Sequence, residues 1–344
     1  MDYIGSKRKL NNWIFEKIQK NIKVIEKITF LDACAGSGSV TKEALQMGMK
    51  VISNDIMKFS SYIVKGNIKL EEKDERETNI HIENINNLKG IEGFFFNNYS
   101  ENANRLYFTN ENAKKIDECR NYIEKIKNEK IKNYLMYCAI EALSKVSNTT
   151  GVQAAFLKNF KERANVSFCV KKEKTIDTNT PTVFTSPIEQ LLVDKIYREN
   201  YKENIIYIDP PYNSRQYGPN YHLYETFARY DNPEIKGKTG LRKNWQNESK
   251  SDFCKKSEFL NLLRKIYVNT TAEYIYMSYS SDGLLTIEEI CSYLNSIGIN
   301  EISIHQKITK RYKSDISEKR IYNNNCLNEY LIEVKKEISK LNIF

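Results

Sequence analysis

Leu10, Trp13, Ile14, Ile18 and Ile22 recur at helical spacing, which predicts an opening amphipathic helix over residues 10–22. Ile28 to Asp32 is a short apolar run ending in an acid and reads as a buried strand. A Gly/Ser turn follows at 36–39, then helical spacing over Val40–Met47, then a second strand, Val51 to Asp55, again ending in an acid. Strand, turn, helix, strand is the opening of a parallel α/β sheet. Residues 71–80 are dominated by charge and predict a solvated connection or helix end. From about 94 to 163 the pattern is helical.

The α/β pattern resumes with strands at Thr182–Thr185 and Ile205–Ile208 and a helix near 187–195 between them. The segment 213–257 is polar, basic and rich in Asn, Lys and Gly, and reads as a long ordered loop or small excursion. Tyr274–Tyr279 predicts a strand and Thr286–Ile297 a helix. Ile302–Ile308 and Leu327–Val334 predict a terminal antiparallel pair. The sheet thus comes in two pieces with a helical insertion between them. The expected division is 1–75 with 178–344 as one domain and 76–177 as the inserted one.

Charge adds a partner class. The 344 residues hold 53 Lys and Arg against 44 Asp and Glu, a net charge of +9. Between 100 and 175 there are 15 basic and 9 acidic residues, so most of the excess lies in the insertion. Basic side chains neutralise phosphates and release counterions, which suits a polyanion. No apolar run approaches the roughly 20 residues of a membrane helix, and no apolar signal segment opens the chain. The expectation is a cytoplasmic protein with no membrane partner. Seven cysteines are scattered without a CxxC pair, and the three histidines, His81, His222 and His305, are far apart, so no metal is expected.

The sharpest candidate chemistry is Asp209-Pro210-Pro211-Tyr212, directly after an apolar strand. Two prolines remove two backbone donors and stiffen the turn, leaving the Pro210 carbonyl to accept a hydrogen bond. Asp209 supplies a second acceptor and Tyr212 an aromatic face. An exocyclic amine on a planar ring offers two N–H donors and a π face, which this inventory matches. Drawing both hydrogens towards acceptors favours a tetrahedral nitrogen whose lone pair attacks a methyl sulfonium in line. Positioning and electrostatics would supply most of the rate. The plain alternative is a turn that merely ends a strand.

A second candidate is Phe30-Leu-Asp32-Ala-Cys-Ala-Gly36-Ser-Gly38-Ser-Val40. Glycines after a strand let a ligand approach the backbone, and the next helix presents free N–H groups. Thr41 stands where a dinucleotide fingerprint needs its last glycine, which weakens that reading. Asp55, ending the second strand, is placed to bind ribose hydroxyls; its alternative is a helix cap. Tyr3-Ile-Gly5-Ser-Lys7 puts an aromatic ring and a lysine around a glycine, which suits covering an adenine or pinning a carboxylate.

Together these stretches resemble the Dam-like, or alpha-group, adenine-N6 DNA methyltransferases, in the order Tyr-x-Gly-Ser-Lys, glycine motif, insertion, DPPY. Arg105 to Asp117, Asn213 to Glu225 and Met277 to Gly283 look like the branch found in restriction–modification systems. The resemblance implies a Rossmann-like class I α/β sheet with a terminal hairpin and an inserted target-recognition domain. It implies S-adenosylmethionine as methyl donor, S-adenosylhomocysteine as product, and double-stranded DNA as partner. By it, Tyr3, Lys7, Asp55 and Asp209 contact the cofactor, Gly36 and Gly38 lie under its methionine part, and Asp32 lies near its ammonium. Asp209, Pro210, Pro211 and Tyr212 form the adenine site. The chain departs from the family at Ala35, where phenylalanine is usual, and at Cys34, where proline is frequent.

A target adenine inside a duplex must be flipped out to reach such a pocket. The segment 213–257 has 9 basic against 5 acidic residues and is expected to close on DNA through residues such as Arg215, Tyr217, Tyr221, Arg229 and Arg242. Arg105, Lys145, Lys158 and Lys161 are the candidate contacts in the insertion. The competing expectations are a methyltransferase for RNA adenine or another planar amine, and an inactive nucleic-acid-binding relict. Cytosine-N4 enzymes resemble a serine-first motif and glutamine enzymes an asparagine-first one, so Asp209 points to adenine. A fused nuclease is not expected, whereas the resemblance suits either the modification enzyme of a restriction–modification system with a separate endonuclease or an orphan methylase.

Overall fold

In a computed structural model, residues 3–310 and 326–336 are described. The strands, in chain order, are β1 (Thr29–Asp32), β2 (Lys50–Asn54), β3 (Thr182–Phe184), β4 (Ile205–Ile208), β5 (Ile235–Lys236), β6 (Leu241–Arg242), β7 (Tyr274–Ser280), β8 (Ile302–Lys310) and β9 (Cys326–Lys335). The contacts divide the chain into two units. One comprises 7–56, 181–217 and 250–344, and the other 1–6, 57–180 and 218–249.

The first unit is built on a seven-stranded sheet of order β3-β2-β1-β4-β7-β9-β8. Neighbours from β3 to β7 run parallel, and β9 is antiparallel to both β7 and β8. A parallel sheet must be covered on both faces, and alternation along β1 provides for this. Phe30 faces one layer, where it packs on Phe15 of the helix Asn11–Gln19 and on Tyr207. Leu31 faces the other, in a core with Ile52, Ile206, Ile275, Met277 and residues Leu263 and Ile266 of the helix Lys256–Asn269. The fold is therefore the expected α/β sheet with a terminal antiparallel pair. Its strand order reverses between β1 and β4, the position at which open α/β sheets bind ligands beyond their carboxyl ends.

The second unit is mainly helical. Helices Lys58–Gly66 and Glu129–Val146 approach so closely that a Cβ on Gly66 would lie 2.5 Å from that of Tyr137. The charged stretch at 71–80 is the largely exposed start of the helix Glu72–Asn86, a helix end rather than a connection, and the helix buries Thr78, Ile82 and Ile85. The predicted helical pattern also stops early, because helix Glu129–Val146 ends and residues 147–161 run as bends and irregular chain.

The stretch 213–257 departs furthest from expectation. Within it, helix His222–Arg229 buries every residue from His222 to Phe227 and Ala228. Glu225 is buried because its carboxylate accepts from the Lys58 and Phe59 amides, at 3.1 and 3.2 Å, at the start of the helix Lys58–Gly66. Beyond it, β5 and β6 form a small antiparallel ribbon. No described helix is long and apolar enough to cross a membrane.

Candidate active site at the carboxyl edge of the sheet

Strands β1, β2 and β4 are adjacent and in register, with Asp32 opposite both Ser53 and Tyr207. That register brings the residues following each strand to one edge. Asp32 ends β1, Asp55 follows β2 and Asp209 follows β4, so three carboxylates separated by up to 177 positions share the carboxyl edge of one sheet.

The Gly36 and Gly38 turn leads from β1 into the helix Ser39–Gln46. Both glycines have positive φ, 52° and 70°, a backbone region costly for a side chain. Asp55 Oδ2 accepts from the Gly36 amide at 2.7 Å and so anchors the turn. Asp32 is buried, and its Oδ2 accepts from the Thr41 amide at 3.0 Å and the Thr41 hydroxyl at 2.7 Å. Its other oxygen, Oδ1, is buried without a hydrogen-bond partner among the described residues. Burial pushes its pKa up to about 7; the Thr41 bonds oppose this and the Asp209 charge adds to it. Burial, followed by the Asp55 charge, also holds the Cys34 thiol far above its ordinary range, so that thiol stays protonated.

Lys7 lies on the same unit and is buried, with Nζ 2.9 Å from Asp209 Oδ1 and 5.5 Å from the centre of the Tyr212 ring. Burial opposes the ammonium, but Asp209, then Tyr212 and Glu329, outweigh it and raise the Lys7 pKa. Burial pushes the Asp209 carboxyl up, and Lys7 offsets part of that. In the stiff turn itself, the Pro211 carbonyl faces Cys254 Sγ at 3.7 Å and the Tyr212 carbonyl accepts from the Leu284 amide at 2.9 Å. The buried Pro210 carbonyl accepts no hydrogen bond among the described residues. Tyr212 is braced by Tyr279, with ring centres 5.3 Å apart.

The sequence gives no hint of two contributors. Asn54 is buried and its amide donates to the Ala33 carbonyl at 3.1 Å and the Ser186 carbonyl at 3.0 Å, tying the glycine turn to the segment after β3. Glu329 sits on β9 opposite Ser280, so pairing with β7 alone brings it to this edge. Its Oε2 is buried without a hydrogen-bond partner among the described residues. Burial raises its pKa, with Lys7 opposing.

Comparison with known proteins decides the family. Residues 3–293 match the D12 class N6 adenine-specific DNA methyltransferases. The chain belongs to that family. It is 32% identical over 346 residues to the type II methyltransferase M.NlaIII of Neisseria lactamica, covering 98% of this chain and 99% of that protein. It is 36% identical over 326 residues to the type II methyltransferase M.CviAII of Paramecium bursaria Chlorella virus 1, covering 92% and 93%. It is also 36% identical over 362 residues to the type II methyltransferase M.FokI of Planomicrobium okeanokoites, covering 99% of this chain but 54% of M.FokI. The chain thus spans about half the length of M.FokI.

Membership in this D12 family implies S-adenosylmethionine as methyl donor, a ligand carrying a sulfonium and an ammonium. The edge suits such a cation: three carboxylates lie along it, only Asp209 is paired with Lys7, and Asp32 Oδ1 is a buried acceptor left over. No group of three His, Cys, Asp or Glu among the described residues is placed to hold a metal ion.

The remaining candidate residues scatter. Tyr3 belongs to the helical unit, where it stacks on Tyr221 with ring centres 4.7 Å apart and planes within 3°. Tyr221 is fully buried and its hydroxyl accepts from the Ile4 amide at 2.8 Å, so it is a packing residue rather than a ready phosphate contact. Arg242, 2% exposed, is spent on Asp231 and Glu248. Arg105 binds the carbonyls of Asn98, Lys238 and Gly237. Arg242 is occupied because a buried guanidinium must be paired, and half-buried Arg105 spends three donors on backbone carbonyls. Arg229 pairs with Glu225 and Lys145 with Glu173. Lys158 and Arg215 are exposed, and Lys161 and Tyr217 half-buried.

Proposed function

We propose that this D12 methyltransferase transfers a methyl group from S-adenosylmethionine to N6 of an adenine flipped out of a specific double-stranded DNA sequence. Its setting would be the cytoplasm, as the modification enzyme of a restriction–modification system with a separate endonuclease. The observation that carries the residue assignment is the turn after β4. Lys7 occupies Oδ1 of Asp209 at 2.9 Å, leaving Oδ2 and the Pro210 carbonyl as two acceptors beside an aromatic ring.

Bound cofactor supplies a methyl on a positively charged sulfur. Asp209 and the Pro210 carbonyl accept the two N6 hydrogens and pull the nitrogen towards tetrahedral geometry. Tyr212, braced by Tyr279, stacks on the base. Pro211 keeps the turn rigid, so this geometry exists before the substrate arrives. The N6–CH3 bond forms as the S–CH3 bond breaks, and the nitrogen sheds one proton towards Asp209, a better acceptor because burial raises its pKa. Asp32 would hold the cofactor ammonium at its unpartnered Oδ1, and Asp55 and the Gly36–Gly38 turn would line the cofactor. Lys7 fixes Asp209. Among the DNA candidates, Lys145, Lys158 and Arg215 are exposed and Lys161 and Tyr217 half-buried, with Lys145 paired to Glu173.

The test is transfer of labelled methyl from S-adenosylmethionine to duplex DNA or RNA, followed by digestion to nucleosides. Label in N6-methyldeoxyadenosine is expected. Label in N4-methylcytosine, or in RNA alone, contradicts the proposal. Asp209→Ala is expected to retain DNA binding and lose transfer; unaltered turnover removes Asp209 from the mechanism.

A further inference from the structure

The β5–β6 ribbon ends in the turn Gly237-Lys238-Thr239-Gly240. Each carbonyl of that turn is engaged from within the helical unit. Arg105 Nη2 donates to Gly237 O at 3.4 Å and Arg105 Nε to Lys238 O at 3.2 Å. Tyr99 donates its hydroxyl to Gly240 O at 2.9 Å. The Tyr107 hydroxyl lies 3.1 Å from Thr239 O and 2.9 Å from Gln153 O, with one proton between the two carbonyls. Tyr99 and Tyr107 are fully buried, so these anchors come from the core.

A trans peptide is planar and points its N–H opposite to its C=O, and the described chain has no cis peptide. Carbonyls of Gly237 and Lys238 held inward therefore turn the amides of Lys238 and Thr239 outward. Neither amide donates a hydrogen bond among the described residues, whereas Gly240 N closes the turn on Gly237 O at 3.2 Å. Gly237 and Gly240 permit this path, with φ of 74° and 67°. Successive outward amides in a tight turn form a concavity for an anion.

Along the ribbon itself the charge has one sign. Residues 235–247 contain Lys236, Lys238, Arg242 and Lys243 and no acid. Arg242 is neutralised at the ribbon base by Asp231 and Glu248, and Lys243 is paired with Glu234. Lys238 is exposed at the tip and forms no ion pair among the described residues. We propose that the tip of this ribbon, through the Lys238 and Thr239 amides and the Lys238 ammonium, binds a backbone phosphate of duplex DNA. The site rests on the reading of the chain as a DNA methyltransferase and gives it a phosphate contact that no comparison assigns. Such a contact sets position on the duplex and reads no base.

The test uses the full chain, a fluorescent mixed-sequence duplex, and anisotropy titrations over a range of KCl. Lys238→Gln is expected to weaken binding about three- to tenfold and to reduce the slope of log K against log salt by about 0.9, one phosphate's share. Lys238→Arg should restore both, and Lys265→Gln, on the helix Lys256–Asn269 of the sheet-bearing unit, should change neither. Turnover at saturating DNA should be unaltered in Lys238→Gln. Affinity and slope equal to wild type in Lys238→Gln overturn the site, as does a loss confined to one DNA sequence, which marks base reading. Wild-type methyl transfer to DNA is measured alongside. Transfer with an unaltered Lys238→Gln removes only the ribbon site, whereas no transfer to any DNA removes the underlying reading as well.

Discussion

Asp32→Asn should stabilise the ligand-free protein at pH 8 relative to its effect at pH 5, and the difference has a calculable size. The carboxyl titrates near 3.8 when exposed and about 7 in the fold, because it is buried with one oxygen unpartnered. A folded pKa raised above the unfolded one means that the fold prefers the protonated acid. Its stabilising contribution is complete below the unfolded value and is lost as pH rises through the folded one. The full displacement corresponds to about 4 kcal/mol, and roughly 2–3 kcal/mol of it falls between pH 5 and pH 8. Asparagine has no such dependence. Its carbonyl can keep the Thr41 bonds, but its NH2 would replace Oδ1 as a buried donor, a pH-independent cost of about 1–3 kcal/mol. The sign at a single pH is therefore a balance, whereas the change in ΔΔG between the two pH values isolates the carboxylate.

Urea unfolding of both proteins at pH 5 and pH 8 measures that change directly, since other titrating groups cancel. A ΔΔG equal at the two pH values within about 0.5 kcal/mol refutes the account of Asp32 as a strained, buried acid, given the 2–3 kcal/mol expected. The ligand gives a second reading. If the cofactor ammonium seats on Oδ1, it draws the pKa back down. Binding at pH 7 should then release protons in the wild type but not in Asp32→Asn, as calorimetry in two buffers of different ionisation enthalpy would detect. The same variant should bind S-adenosylmethionine more weakly, a case of stability traded for a functional charge.

Lys7→Met leaves Asp209 buried without its cation, and should cost about 3–5 kcal/mol of stability by urea unfolding; adding Asp209→Asn should recover part of that loss, because the two act as a unit. Gly66→Ala forces a Cβ to within 2.5 Å of Tyr137 Cβ and 2.6 Å of the Asn133 carbonyl oxygen, so a loss of about 1–3 kcal/mol is expected in thermal melting. Thr286→Ala removes the capping box with Glu289 and should cost about 1 kcal/mol while leaving methyl transfer unchanged.

What could be read from the sequence was local. Strands β1, β2 and β4 are short apolar runs ended by an acid or by two prolines, and each announces both itself and the residue it delivers. Their meeting at one edge follows from the strand order. The rest depends on partners far away in sequence. Helix His222–Arg229 looks polar because His, Tyr, Glu and Thr count as polar in any pattern. Its polar atoms are matched by Gln153, whose side-chain oxygen accepts from the Leu223 and Tyr224 amides, and by the amides of Lys58 and Phe59. Nothing near residue 222 reveals those partners, so a buried helix reads as part of a long ordered loop or small excursion.

The arginines show how the same limit bears on function. Counting basic residues places DNA contacts wherever charge accumulates, and Arg105 and Arg242 were natural candidates. The fold gives both a different use. Arg242 closes the base of the β5–β6 ribbon through Asp231 and Glu248, and Arg105 grips the carbonyls at its tip. A guanidinium with its donors on backbone carbonyls and carboxylates has little left for a phosphate, but it dictates which way the neighbouring peptides face. The charge that sequence reading assigned to DNA directly would then act one step removed, by presenting the Lys238 and Thr239 amides. Arg105→Ala should accordingly weaken DNA binding by releasing the turn, and the loss should shrink when Lys238→Gln is already present. Two independent phosphate contacts would instead give additive losses.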